Sequence, residues 1–190
     1  MPTMLPMPLT IGLVPAASAD DAALVERIAS LVNTVYETSE AGLWVDGARR
    51  TDEQEIAGLI RRGQIAAATS DGVIVGSVQV QQLDDMTGLF GMLVADPERR
   101  GEGIGRELVA FAERWARDRG LTAMQLELLV PRTWSHPSKE FLRQWYERAG
   151  YRVVHTGQLD DGYPALAPLL ATPCDLLIYR KDPSGDSTRK

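Results

Sequence analysis

The sequence predicts an α/β protein built on a mixed, largely antiparallel sheet of six to seven strands flanked by about four helices. Three observations carry that prediction. Short apolar or alternating runs and stretches of helical periodicity follow one another along the chain. Residues 64–83, "QIAAATSDGVIVGSVQVQQL", form a hairpin signature: two β-rich runs joined by Asp71-Gly72, a pair suited to a tight turn with positive φ. Strand, helix and strand then alternate in the second half, which calls for a crossover connection and so for some parallel pairing.

The elements follow in order. "LTIGLV" (9–14) reads as a first strand. Ser18 is placed as the cap of a helix whose apolar positions Leu24, Ile28, Leu31, Val32 and Val35 repeat at helical spacing. Residues 37–50 are mixed in polarity and read as a loop or a broken helix. Thr51 and Gln54 form a capping-box pattern that opens a second helix running to about Arg62. After the hairpin comes an apolar strand over roughly 87–95. A helix follows with Ile104, Leu108, Phe111, Ala112 and Trp115 on one stripe, and Gly120 ends it. "TAMQLELLV" (122–130) is a strand, and Lys139–Ala149 is a helix with Phe141, Leu142, Trp145 and Ala149 as its core stripe. "YRVVHT" and "CDLLIYRK" are two closing strands separated by a loop bearing proline and glycine.

The bulk composition narrows the function. A chain of 190 residues fits one buried domain, expected over 1–190 with its core at about 9–181 and flexible tails at 1–8 and 182–190. No apolar run reaches the roughly 18 residues of a membrane helix, and the proline-broken start lacks the basic region of a signal peptide. A net charge of −6 argues against a general nucleic-acid binder. One cysteine and two histidines build no zinc cluster, so no metal is expected. A cytoplasmic setting fits the cysteine count. A homodimer is left open.

The segment "MLVADPERRGEGIGRELVAFAERW" (92–115) carries the chemistry. A phosphate loop of the Walker type needs Gly-Lys-Ser/Thr at its end, whereas this loop ends Gly105-Arg106-Glu107. A dinucleotide fingerprint needs a small third residue, and Arg106 stands there. What remains is Arg-x-x-Gly-x-Gly, with Arg100, Gly103 and Gly105. Without Cβ atoms, successive N–H groups can turn toward an anion at the open end of the next helix, with arginine charge beside them. A glycine-rich turn with solvated arginines is the alternative.

Residues 93–108, "LVADPERRGEGIGREL", resemble the acetyl-CoA signature of the GCN5-related N-acetyltransferase (GNAT) superfamily. "FLRQWYERAGYRVV" (141–154) resembles its second signature. The two at this separation are specific where either alone is not. The resemblance implies the family's fold, with a splayed strand pair that holds coenzyme A, and acetyl transfer from acetyl-CoA to a small-molecule amine. It implies that the backbone of Leu93, Val94 and Ala95 pairs with the pantetheine arm. It implies, too, that the run Arg100, Gly101, Gly103, Ile104, Gly105 and Arg106 cradles the pyrophosphate. Tyr146 matches the tyrosine that serves the departing thiolate. Two other outcomes are carried: an acyl-CoA-binding module without turnover, and transfer of a longer acyl group.

Two parts are less defined. The strand "LFGMLVA" has no acid where many relatives place a glutamate, so the general base is unassigned, with Glu127, Asp84, Asp85 and Glu40 as candidates. The resemblance places the acceptor at residues 34–51 and 157–170. Tyr36, Glu40, Trp44 and Tyr163 are the candidates there, with Glu37, Asp160 and Asp161 nearby. Aromatics mixed with acids suit a cationic amine.

Overall fold

A computed structural model describes residues 8–183, so the tails expected at 1–8 and 182–190 lie almost wholly outside the described residues. The strands are β1 (Thr10–Leu13), β2 (Ile65–Ser70), β3 (Val73–Gln82), β4 (Thr87–Ala95), β5 (Ala123–Pro131), β6 (Arg152–Gly157) and β7 (Cys174–Lys181). The helices are α1 (Ala22–Ser39), α2 (Glu53–Arg61), α3 (Ile104–Asp118), α4 (Pro137–Arg148) and the short α5 (Leu159–Gly162). All seven strands join one sheet in the order β1-β2-β3-β4-β5-β7-β6. β1–β2, β2–β3, β5–β7 and β7–β6 pair antiparallel, and β4 pairs parallel with β5. The mixed α/β architecture read from the sequence is therefore the one observed.

Within it the chain groups into two compact units. One comprises the residues up to Val35 with Thr51–Val80 and Met92–Ala112; the other comprises Tyr36–Arg50, Gln81–Gly91 and the chain from Glu113 on.

In the first unit, α1 buries Val25, Ile28, Ala29, Leu31 and Val32. Its start is set by Asp21, whose carboxylate accepts from the N–H groups of Ala23 and Leu24 at 3.1 and 3.2 Å. Ser18 is not the cap, because it lies inside a 3-10 turn over Ala16–Asp20. At α2 the predicted cap is off by one residue. Asp52 accepts from Glu55 N–H at 2.8 Å, and Thr51 Oγ1 instead donates to Glu55 Oε2 at 2.6 Å. A carboxylate is the stronger acceptor for an orphan N–H, so aspartate wins over the adjacent threonine. The hairpin turn is as predicted, with φ of 53° at Asp71 and 74° at Gly72. Gly76 in β3 has no room for a side chain. A Cβ there would lie 2.8 Å from Ile104 Cγ2 and 2.9 Å from the carbonyl oxygen of Val94. This close approach seats the first turn of α3 on the sheet.

In the second unit, β4 and β5 share three parallel rungs only: Thr87–Ala123, Gly88–Met124 and Leu89–Gln125. On its other edge β5 pairs along its length with β7, from Met124–Lys181 to Pro131–Cys174. A small core of Leu43, Leu129, Leu159, Cys174 and Leu176 packs with Trp44, Leu170 and Ile178. The inward face of α4 differs from the predicted stripe. Phe141 is 60% exposed, while Lys139 and Tyr146 are the buried residues of that helix. They stand seven residues apart, two turns along the same face. Periodicity misplaced the stripe because a lysine occupies a core position.

Candidate active site

The residues expected to meet the donor, Leu93–Ala95 and Arg100–Arg106, lie in the first unit. Met92 of β4 is buried at a φ of 44°, a left-handed conformation that an unbranched residue rarely adopts inside a strand. The burial of the strand alternates across it all the same, with Met92 and Val94 buried and Gly91, Leu93 and Ala95 half-buried. The strand ends in an Asp96-Pro97 turn held from several directions. Asp96 N–H donates to the Val75 carbonyl at 2.8 Å, and its carboxylate accepts from Glu98 N–H at 3.1 Å. Arg27 donates to Asp96 Oδ2 at 3.2 Å and to the Ile74 carbonyl at 2.9 Å. Arg99 reaches Ser70 Oγ at 3.2 Å and Glu102 at 3.5 Å.

With Arg27 and Arg99 engaged in holding the loop, Arg100 and Arg106 are the exposed arginines of the signature. Gly101 and Gly103 take φ of 86° and 77°, which glycine alone adopts without strain. A Cβ on Gly101 would meet nothing within 4 Å, and one on Gly103 would touch only the Arg106 guanidinium at 3.4 Å. The backbone is thus bent and open, and α3 begins at Ile104 immediately after it. An open loop at a helix N-terminus with two arginines can hold a pyrophosphate. Glu107 in the first turn opposes this, and Arg106 partly meets it at 3.8 Å.

The remaining candidates lie in the second unit. Tyr146 is 6% exposed, with the rings of Trp145, Phe90, Tyr151 and Tyr179 at centroid distances of 5.0, 6.1, 6.1 and 6.3 Å. Burial drives its phenol well above the usual tyrosine range, and the nearby Tyr36 adds to the rise.

Glu40 lies just past α1 and is fully engaged. Oε1 accepts from Lys139 Nζ at 2.7 Å, and Oε2 accepts from Trp44 Nε1 at 2.6 Å. Both ions of the pair are almost fully buried. Beside them, His136 caps α4, with Nδ1 accepting from Ser138 N–H at 3.2 Å and Nε2 3.1 Å from the Ala41 carbonyl oxygen. That geometry requires the neutral tautomer with its proton on Nε2. His136 is itself buried.

The two segments named for the acceptor are joined to each other. Trp44 bridges Leu170, Val45 N–H donates to the Leu169 carbonyl at 2.8 Å, and Ala171 N–H donates to that of Leu43 at 2.8 Å. Tyr163 sends its hydroxyl to Glu127 Oε2 at 2.5 Å. Arg50 stacks over the Tyr36 ring at 5.2 Å. Asp84 is remote from such use: it caps the β3–β4 turn through the N–H groups of Met86 and Thr87, each at 2.8 Å. The first of these bonds holds its pKa below the ordinary value.

Sequence reasoning missed the Tyr163–Glu127 contact, the Lys139–Glu40 pair and the Met92 conformation. The lysine alone had left a signal, as a charged residue two turns from Tyr146. Among the described residues no group of three or more histidines, cysteines or carboxylates could hold a metal ion, and no helix is long and apolar enough to cross a membrane.

The acetyltransferase (GNAT) family matches residues 27–151, and the chain belongs to that family. No curated protein matches it closely. Among solved structures it is similar to an aminoglycoside 6'-N-acetyltransferase complexed with coenzyme A, at 15% identity and a TM-score of 0.68. That alignment covers 95% of this chain and 99% of the other. It is also similar to the aminoglycoside 6'-N-acetyltransferase from Enterococcus faecium, at 15% identity and a TM-score of 0.66 over 95% and 99% of the chains. A third is yncA from Salmonella typhimurium, solved with its cofactor acetyl-CoA, at 15% identity and a TM-score of 0.64 over 96% and 98%. At these identities the likeness is one of fold.

Proposed function

We propose that the chain transfers an acetyl group from acetyl-CoA to the primary amine of a small-molecule acceptor. The observation that carries this reading is the open, positive-φ loop of Gly101 and Gly103 at the start of α3, inside the segment that matches the family. Arg100 and Arg106 would supply charge to the pyrophosphate, and the N–H groups around Ile104 and Gly105 would supply donors. The backbone of Leu93, Val94 and Ala95 would meet the pantetheine arm. The N–H of Leu93 or Val94 would be the donor to the thioester oxygen when that oxygen gains charge.

In the reaction the amine nitrogen, once deprotonated, attacks the thioester carbon and the C–S bond breaks. The amine proton passes to a carboxylate or to water, and the departing sulfur ends as a thiol. Tyr146 is assigned to the sulfur. With unperturbed values, moving a proton from a phenol of pKa about 10 to a thiolate whose acid has pKa about 8.5 is uphill by roughly 2 kcal/mol. Burial raises the phenol further, so its role is to donate a hydrogen bond as charge builds, with proton transfer late. Glu40 has both oxygens engaged, which favours Glu127 or water over it as the base.

The test is calorimetric titration with acetyl-CoA followed by thiol-release assays across a panel of amines. Binding with a Kd in the micromolar range and amine-dependent thiol release are expected. Absence of binding rejects the proposal, and binding with no release for any amine favours a non-catalytic acyl-CoA module.

A further inference from the structure

We infer that Tyr163 is a positioning residue that holds Glu127 as the acceptor of the amine proton, on the face of the sheet opposite Tyr146. The inference deepens the acetyltransferase reading above and rests on it.

Strand register separates the two faces. Opposed residues of antiparallel strands share a face, and neighbours along a strand alternate. Between β5 and β7 the opposed pairs include Leu126–Tyr179, Glu127–Ile178 and Leu129–Leu176. The Tyr179 ring lies 6.3 Å from that of Tyr146, which puts Leu126, Tyr179 and Tyr146 on one side of the sheet. Phe90 of β4 joins them there, with its ring 6.1 Å from Tyr146. On the other side stand Glu127, Leu129, Leu176 and Ile178, the last three packed with Leu43 and Trp44 of a segment named for the acceptor. Glu127 therefore follows directly on the residue that shares the side of Tyr146, and faces the other way. The last rung between β4 and β5 is Leu89–Gln125, two residues before Glu127. Beyond that rung the β4-facing edge of β5 has no strand partner among the described residues.

The chemistry of Glu127 sets it apart from the other acids. It is half-buried between the buried Leu126 and Leu128, and its Oε2 accepts the Tyr163 hydroxyl at 2.5 Å. Loss of water around Tyr163 and the Glu127 charge keep that phenol protonated, so the donor is neutral. A neutral donor fixes the carboxylate in one rotamer without cancelling its charge. Among the described residues Glu127 belongs to no ion pair within 4.0 Å. Glu40, by contrast, is neutralised by Lys139. Asp161 accepts from Gln158 N–H at 2.9 Å, and Asp84 is spent on its turn. Glu37, Asp85 and Asp160 are exposed. Glu127 alone is both held and still charged. In the step itself, the lone pair of the neutral amine forms the C–N bond and the C–S electron pair leaves with sulfur. The N–H proton, made acidic by the new bond, passes to Glu127 and from there to solvent. Sulfur gains its proton late, on the Tyr146 side. Tyr163 keeps its own proton throughout.

The experiment measures thiol release at saturating acetyl-CoA with kanamycin, spermidine, L-lysine and tyramine, and tests variants with the one turned over fastest. Glu127→Gln should lower kcat by ~10²-fold or more while acetyl-CoA affinity stays unchanged in calorimetry. Glu127→Ala should regain part of its loss when formate is added as a free carboxylate. Tyr163→Phe should lower kcat by ~3- to 10-fold, the worth of one hydrogen bond, with KM little changed. In the Glu127→Gln background Tyr163→Phe should have no further effect, whereas a packing role would give the same loss in both. Should Glu127→Ala fail to fold, the cycle of Glu127→Gln and Tyr163→Phe still decides. A Glu127→Gln variant close to wild-type turnover overturns the inference and leaves acetyl transfer standing, with water as the base. Equal losses from Tyr163→Phe in both backgrounds overturn the positioning role. Acetyl-CoA binding in the wild type without thiol release for any of the four amines also overturns the inference. Absence of acetyl-CoA binding in the wild type removes the acetyltransferase reading itself.

Discussion

A phenol buried among four aromatic rings is a poor acid, and Tyr146 is such a group. If it serves the leaving sulfur, Tyr146→Phe removes one hydroxyl and leaves the packing intact. Turnover should fall by ~10²-fold, at the low end of what a positioned proton donor contributes, while acetyl-CoA affinity stays unchanged. Steady-state kinetics beside calorimetry read both, and an unaltered kcat would withdraw the role. Tyr146 was legible in the sequence because "WYERAGY" is a local pattern. Met92 was not, since a left-handed residue within "GMLVA" has no sequence mark of the kind glycine gives. Contacts between residues far apart were equally silent: Tyr163 and Glu127 stand 36 positions apart, and Lys139 and Glu40 stand 99 apart.

The helix that carries Tyr146 is held at its other end by charge. Lys139 at the start of α4 is buried against Glu40, which also receives Trp44 Nε1. A buried pair of this kind is weak evidence for net stability, but removing one partner strands the other in a dry place. Lys139→Met should therefore cost about 3–5 kcal/mol. That loss lowers Tm by roughly 10 °C in a chain of this size. Adding Glu40→Gln should recover much of it, and thermal melts of the single and double variants check the coupling. A single variant as stable as the wild type would contradict it. The existence and order of the seven strands and the four longer helices were readable because periodicity and turn residues are local signals. Their ends were less so. Asp21 and Asp52 displaced the hydroxyl caps expected at Ser18 and Thr51, and His136 took the cap of α4. The short α5 lies in a stretch read only as loop.

Over the whole molecule the ionisable groups that burial perturbs are concentrated in one unit. All five tyrosines of the chain, together with its one cysteine, belong to the unit that includes Tyr36–Arg50 and the chain from Glu113 on. Every one of the five has its pKa raised, with desolvation the largest cause. Cys174 is pushed up to about 11 by the same cause. A raised pKa on an acid means that the native state keeps its proton where the unfolded chain gives it up. Stability from these groups is thus complete below the unfolded pKa and falls as pH rises beyond about 10 for tyrosine. Tyr146, Tyr151 and Tyr179 are nearly inaccessible to solvent. Tyr146 and Tyr151, the two with the large rise, together remove about 3 kcal/mol per pH unit, a large part of an ordinary folding free energy within two or three units. Alkaline titration should therefore show little tyrosinate absorbance near pH 10. At higher pH a steep rise should coincide with loss of circular dichroism. A gradual rise centred near pH 10 with the fold intact would mean that these phenols reach water in the native state. In that case the dry setting assigned to Tyr146, and with it the late proton transfer, would have to be given up.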